Sequence, residues 1–191
     1  MRSNKPLRIL LLQAENPCWE AAKSYPYYMN FAWVEALRAT GAEVLMVTSP
    51  WFAQLDAICA DKTFDQIWLN DLSHFADFDL SVGNVLQRAP IRIGFVTESV
   101  EYTPEEYTAF PWLTERRARL DAQFDGVTHV AAVDEADVVD LQRRFGVPTM
   151  WLPCSMPQRW LRQAPPARAN RAFFSGSVYG QRAGWLETPQ L

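Results

Sequence analysis

The chain has 191 residues, of which 49% are hydrophobic and 21% charged, enough for one folded domain with a substantial core. Its net charge of −4 argues against nucleic-acid binding, which usually needs a basic face. The three cysteines are widely spaced without a C-x-x-C pair, and no apolar run is long enough to cross a membrane. We therefore expect a cytoplasmic protein with no metal, cofactor or transmembrane segment.

Six short apolar runs alternate with segments of helical pattern. The runs predict strands at 7–12, 42–47, 64–69, 90–96, 127–133 and 147–152. Helical patterns lie between them, at 28–40, 51–60, part of 74–88, 104–124 and 135–145. Thr103 and Asp134 are expected to cap the last two helical segments, Pro111 to interrupt the first of these, and Gly41 and Gly146 to end helices.

Alternating strands and helices predict an α/β fold, a doubly wound and mostly parallel sheet of Rossmann-like type. We place this domain at residues 1–156. Residues 157–170 are rich in proline and alanine and read as a linker. Residues 171–191 read as the first strand and loop of a second domain, with too few residues to complete one.

Polar residues that follow the strands are the candidates for a ligand site, because ligands bind outside the carboxyl ends of parallel strands. They are Glu15 and Asn16 after the first strand, Asp71 and His74 after the third, and Glu98 after the fourth. Glu98 is a candidate general base, or else a loop acid that caps a turn. No G-x-G-x-x-G fingerprint and no Walker A lysine follows the first strand, so neither a dinucleotide nor an NTPase site is predicted there.

The segment from Phe173 to Arg182 has the pattern of a phosphate-binding turn. An apolar strand is followed by serines and glycines, whose small side chains let backbone N–H groups approach an anion. Ser177 and Arg182 are its candidate phosphate ligands, since arginine grips phosphate with two parallel hydrogen bonds.

Three stretches together resemble the N-terminal half of GT-B glycosyltransferases, most of all the CgeB-type and group 1 (family 4-like) enzymes. They are Arg8–Val47, Asp134–Pro148 with Trp151–Cys154, and Phe173–Arg182. The resemblance implies that the enzyme transfers a sugar from a nucleotide-diphosphate sugar to an acceptor. It implies that Ser177 and Arg182 lie near the donor phosphates, and that Glu98 and the loop after Gln13 face the acceptor.

The same resemblance implies that the nucleotide-sugar domain is missing and that this chain alone is inactive, unless another chain supplies that half. Two alternatives stay open. One is a non-catalytic Rossmann-like binding module or partner subunit. The other is an unrelated α/β hydrolase or receiver domain, although a receiver needs an acidic cluster after the first strand, an aspartate after the third and a lysine partner.

Overall fold

The computed structural model describes residues 5–13, 29–70, 83–97, 100 and 102–153. Its strands are β1 (Arg8–Gln13), β2 (Glu43–Thr48), β3 (Gln66–Asn70), β4 (Ile91–Val96), β5 (His129–Ala132) and β6 (Thr149–Trp151). Its α-helices are α1 (Met29–Ala39), α2 (Leu55–Ile58), α3 (Gly83–Leu86), α4 (Pro104–Ala109), α5 (Trp112–Gln123) and α6 (Val138–Phe145), and a 3₁₀ helix spans Ser49–Gln54. The predicted domain at 1–156 lies mostly in these ranges, whereas the predicted linker and second domain lie outside them.

The six strands form one parallel sheet in the order β2-β1-β3-β4-β5-β6. This confirms the predicted doubly wound α/β fold. The order is the second common form of that fold, in which the chain first winds outward from β1 to β2 and then returns to β3 on the other side. The dinucleotide-binding form has a different order, which agrees with the missing glycine fingerprint.

The sheet is covered by helices on both faces, and the two faces differ. The main face carries the larger core, in which Leu10, Leu12, Ile67 and Leu69 of the sheet pack against α2, α3, α5 and α6. The opposite face, here called the aromatic face, carries Phe95 and Ala131 packed with Trp33 of α1 and with Trp68. Apolar side chains on both faces explain why the strands read as near-continuous apolar runs.

A small residue in β4 allows close packing on the main face. A Cβ atom added to Gly94 would lie only 2.7 Å from Cε2 of Phe124, the residue directly after α5. Real Cβ contacts are not that short. Gly94 therefore lets the Phe124 ring lie directly on the sheet, and this contact holds α5 against β4.

The predicted caps are confirmed for α4 but wrong for α6. Thr103 accepts a hydrogen bond from Glu106 N, and the Glu106 side chain accepts one from Thr103 N, which is a complete capping box. Helix α6 begins at Val138 rather than 135, because Asp134 Oδ1 accepts from Ala136 N at 3.0 Å in a local turn. Asp137 takes the N-cap position instead.

The glycine and proline predictions agree with the structure. Gly41 and Gly146 have φ values of 88° and 65°, in the left-handed region that follows a helix end. Pro111 lies between α4 and α5 and divides the predicted 104–124 helix into two.

Three strands end one residue later than predicted, so that Gln13, Thr48 and Asn70 belong to the sheet.

Candidate functional site at the carboxyl edge of the sheet

The strand order fixes where a ligand crevice lies in this fold. The chain leaves β1 in one direction to reach β2 and in the other to reach β3, so the order reverses between β1 and β3. Helices on opposite faces diverge at such a switch point and leave a crevice outside the carboxyl ends of the two strands. The residues that end β1 and β3 are Gln13 and Asn70.

Uncharged hydrogen-bonding residues stand at the ends of four neighbouring strands. Gln13 pairs with Thr48 across β1 and β2. Leu12 pairs with Leu69, so the next position places Gln13 beside Asn70. Thr97 directly follows β4. Amides and hydroxyls at a strand edge bind ligands through neutral hydrogen bonds, so the described part of this edge suits an uncharged polar ligand.

Gln13 is a fully buried amide, with 0% of its surface exposed. Its Nε2 donates to Sδ of Met46 at 3.0 Å, a contact with a weak acceptor on the aromatic face. Its Oε1 is buried and accepts no hydrogen bond from the residues that the structure describes. A buried carbonyl oxygen without a donor costs about 1–3 kcal/mol.

Asn70 is held by a contact from helix α5. Gln123, which is 2% exposed, donates from Nε2 to the backbone carbonyl of Asn70 at 2.6 Å. This hydrogen bond gives the Asn70 carbonyl a donor at the point where the hydrogen bonds between neighbouring strands end. It therefore ties the end of β3 to α5, directly before the predicted site residue Asp71.

An aromatic cluster lies on the same face of the sheet as Gln13. The Trp33 ring lies 4.2 Å from the Phe95 ring and 5.3 Å from the Trp68 ring, between centroids. Nε1 of Trp68 donates to Gln66 Oε1, whereas Nε1 of Trp33 is buried and donates to none of the described residues. The aromatic face thus carries one acceptor, Gln13 Oε1, and one donor, Trp33 Nε1, without described partners.

A second set of polar contacts supports the segment after β4. Arg116 of α5 is 2% exposed, donates to the hydroxyl of Tyr102 and has its guanidinium 5.9 Å from the centre of that ring. Arg117 donates to the hydroxyl of Tyr107 at 3.1 Å, and the two tyrosine rings meet edge to face. These pairs connect α5 to the residues that follow β4, the strand that precedes Glu98.

The residues predicted from sequence for this site and for donor binding lie outside the described ranges. They are Glu15, Asn16, Asp71, His74, Glu98, Ser177 and Arg182. The structure describes the ends of the strands that the first five follow. It adds Gln13, Gln123 and Arg116, which the sequence analysis missed. Only Gln13 left a signal there, as the polar residue that ends the apolar run of β1.

A concavity lies at the opposite, amino edge of the sheet. It encloses about 350 Å³ between β1, β2 and the loop before β3, with Arg8, Leu45 and Phe64 among its lining residues. Two of its charged lining residues, Asp61 and Lys62, are paired with each other. Lys62 Nζ donates to Asp61 Oδ1 at 2.7 Å and lowers the pKa of that carboxyl. Because this concavity lies away from the carboxyl ends of the strands, it is a weaker candidate for a ligand site than the switch point between β1 and β3.

The described residues contain no group of three or more histidine, cysteine or acidic side chains able to hold a metal ion. Within the same ranges, no helix is long and apolar enough to span a membrane. Lys5 and Lys62, the lysines of the described ranges, both precede strands, and the residues after β5 are Val133 and Asp134. The lysine partner that a receiver domain needs is therefore not at the described carboxyl edge.

No family model and no curated protein matches the chain. The fold and the site define its class. It is an α/β domain with a six-stranded parallel sheet, and its switch point between β1 and β3 is lined by uncharged polar residues.

Proposed function

We propose that this chain is the acceptor-binding half of a GT-B glycosyltransferase. The observation that carries the proposal is the placement of Gln13 and Asn70 side by side at the switch point of a fully parallel sheet. The resemblance to GT-B enzymes supplies the reaction, which is transfer of a sugar from a nucleotide-diphosphate sugar to an acceptor. We propose that the protein acts in the cytoplasm and on no nucleic acid.

The chemistry of the described edge supports acceptor binding over donor binding. A diphosphate is bound by cationic side chains or by helix N-termini. The ends of β1 to β4 carry Gln13, Thr48, Asn70 and Thr97 instead. In this proposal the donor phosphates are bound by Ser177 and Arg182, in the separate unit that begins near residue 171.

In this proposal the residues next to the described edge carry the reaction. Glu98 acts as general base and takes the proton of the acceptor hydroxyl, while the acceptor oxygen bonds to the anomeric carbon of the donor sugar and the nucleoside diphosphate leaves with the electrons of its bond to that carbon. Glu15, Asn16, Asp71 and His74 orient the acceptor. Asp71 directly follows β3 and Glu98 comes two residues after β4, so both begin from strand ends that the sheet ladder and Gln123 hold in place.

A second candidate function is a non-catalytic binding module. The observation that favours it is the neutral character of the strand ends, because Gln13, Thr48, Asn70 and Thr97 include no group that titrates near neutral pH. Such an edge recognises a ligand without supplying an acid or a base. The two candidates share the acceptor site and differ in nucleotide-sugar binding.

Calorimetry of the 191-residue chain with UDP-, GDP- and dTDP-hexoses separates the two candidates. The glycosyltransferase proposal predicts binding of one nucleotide sugar, weakened about tenfold or more by Arg182→Ala, since a charge-assisted hydrogen bond to phosphate is lost. Arg168→Ala, in the predicted linker, is the matched control and should leave the affinity unchanged. Nucleotide-sugar affinity that Arg182→Ala leaves unchanged would contradict the donor-phosphate role of Arg182, and binding of glycosides without any nucleotide sugar would favour the binding module.

A further inference from the structure

The concavity at the amino edge of the sheet has room for a small organic ligand. It encloses about 350 Å³. A protein cavity of about 150 Å³ holds a benzene molecule, so this volume accommodates a ring or a branched carbon chain together with a polar head group. Four of the lining residues offer an apolar surface, namely Ile9, Val44, Leu45 and Phe64.

The charged residues of the lining form two sets. Asp61 and Lys62 neutralise each other in an ion pair of 2.7 Å. Arg8 and Glu43 are directly opposite each other in the register of β1 and β2. Neighbouring strands lie about 4.8 Å apart, so such residues are close enough to pair, yet among the described contacts Arg8 and Glu43 form no ion pair with each other. The concavity therefore presents a positive and a negative group that are neighbours but not partners.

The Arg8 guanidinium is available to a ligand. Its Nε is buried and lies 3.9 Å from Asp65 Oδ2, which is too far for a hydrogen bond. That carboxylate accepts from the backbone N–H of Arg8 instead, at 2.7 Å. The Arg8 side chain is 31% exposed, and its two terminal nitrogens donate to none of the described residues. They can therefore bind a carboxylate through two parallel hydrogen bonds.

Glu43 lies on the same side of the sheet as Arg8. Alternate residues of a strand face the same side, and Leu10 and Leu45, two residues after Arg8 and Glu43, both pack in the main-face core. The Glu43 side chain is exposed at the mouth of the concavity, and its carboxylate accepts no hydrogen bond from the described residues. It is placed to attract a cationic group next to whatever Arg8 binds.

We propose that this concavity binds a free amino acid with an apolar side chain. The carboxylate of the amino acid accepts hydrogen bonds from the terminal nitrogens of Arg8, and its ammonium group lies against the Glu43 carboxylate. Its side chain packs against Leu45 and Phe64. The inference goes beyond the proposed function and does not depend on it.

A zwitterion suits these charges better than a single ion does. The lining has two positive and two negative side chains, and Asp65 adds a negative charge beside Arg8. A plain carboxylate would pair with Arg8 but stand next to the Glu43 carboxylate, and a plain amine would pair with Glu43 but stand next to Arg8. In an amino acid each charge meets its opposite, so the repulsion becomes attraction.

The first experiment titrates the 191-residue chain with amino acids and follows its backbone amide NMR shifts. The probes are leucine, methionine and phenylalanine, with glycine as the zwitterion that lacks a side chain. At least one of the three apolar amino acids should bind, with the largest shifts at Arg8, Leu45 and Phe64, and glycine should bind about tenfold more weakly or not at all. The inference is overturned if none of the three binds at about 10 mM, if glycine binds as tightly, or if the shifts cluster at Gln13 and Asn70.

The second experiment removes one charge of the ligand at a time and uses the unmodified chain. For phenylalanine, 3-phenylpropanoate lacks the ammonium group and 2-phenylethylamine lacks the carboxylate. For leucine, the matching pair is 4-methylpentanoate and 3-methylbutylamine, and for methionine it is 4-(methylthio)butanoate and 3-(methylthio)propylamine. Each should bind about tenfold more weakly than its parent amino acid, because one charge-assisted contact is lost. Equal affinity of either member of the pair and its parent would overturn the inference.

The third experiment removes the charges of the protein. Arg8→Met and Glu43→Gln keep the length of each side chain, and each should weaken the bound amino acid about tenfold. The matched controls are Arg143→Met on α6 and Glu105→Gln on α4, which change exposed residues outside the concavity and should leave the affinity unchanged. Unchanged affinity in either site variant would overturn the inference. If Arg8→Met does not fold, the ligand series on the unmodified chain still decides the question.

Discussion

Gln123 donates a hydrogen bond of 2.6 Å from its Nε2 to the backbone carbonyl of Asn70, and both residues are buried. The bond joins the end of helix α5 to the end of strand β3, across 53 residues of sequence. It holds the carboxyl end of β3, one of the two strands at the switch point, through a side chain of a helix that packs on the main face. Helix α5 therefore positions the end of β3 from the main face of the sheet.

Gln123→Leu should destabilise the protein by about 1–3 kcal/mol, because it leaves the buried Asn70 carbonyl without this donor. Urea unfolding monitored by circular dichroism measures the change. Gln142→Leu is the matched control, since Gln142 is exposed on α6, and it should change stability by less than about 0.5 kcal/mol. Equal effects of the two variants would show that the Gln123 contact contributes nothing.

Gly94→Ala should cost about 1–3 kcal/mol, because the new Cβ would overlap the Phe124 ring at 2.7 Å. The same unfolding assay measures it. A double variant, Gly94→Ala with Phe124→Leu, tests the cause: the smaller side chain makes room, so the combined loss should be smaller than the two single losses added together. Strictly additive losses would rule out this overlap as the reason.

The sheet was predictable from sequence because each strand is an apolar run buried on both faces and bounded by glycine, proline or polar residues. The site was predictable only in its location. Gln123 and Arg116 lie on α5, and the apolar residues of that helix indicate that it packs against the sheet. Individual contacts, such as the one from Gln123 to Asn70, depend on the three-dimensional path of the chain and are not visible in the sequence. The start of α6 was mispredicted because the Asp134 carboxylate can accept a hydrogen bond either in a local turn or at a helix N-terminus, and the sequence does not distinguish the two.

Thr103→Ala should destabilise the protein by about 0.5–2 kcal/mol through loss of the α4 capping box. Thr114→Ala is the control, because Thr114 is exposed within α5 and alanine is the better helix former. Thermal unfolding should therefore show a lower Tm for the first variant and an unchanged or slightly higher Tm for the second. A Tm for Thr103→Ala equal to that of the parent would mean that α4 does not depend on its cap.

Stability should fall at alkaline pH partly because of Cys59. Burial raises the pKa of this thiol, and the nearby Arg88 opposes the shift only in part. The unfolded thiol ionises near its ordinary pKa of about 8.5, whereas the folded protein keeps the proton to higher pH. The stabilisation is therefore complete below the unfolded pKa and is lost as pH rises through the folded pKa.

Unfolding in urea between neutral and alkaline pH measures this dependence. Cys59→Ala should be less stable at neutral pH, since it leaves a cavity in the main-face core. It should also lose less stability than the parent as the pH rises. Parallel pH profiles of the two proteins would show that the Cys59 thiol does not contribute.

The most direct test of the acceptor site is an NMR map of backbone amide shifts on titration with methyl glucoside, an uncharged glycoside that carries hydroxyls. We expect the largest shifts to cluster at the carboxyl edge, at Gln13, Asn70 and Thr97. Shifts that cluster instead at the amino-edge concavity, at Arg8, Leu45 and Phe64, would contradict it.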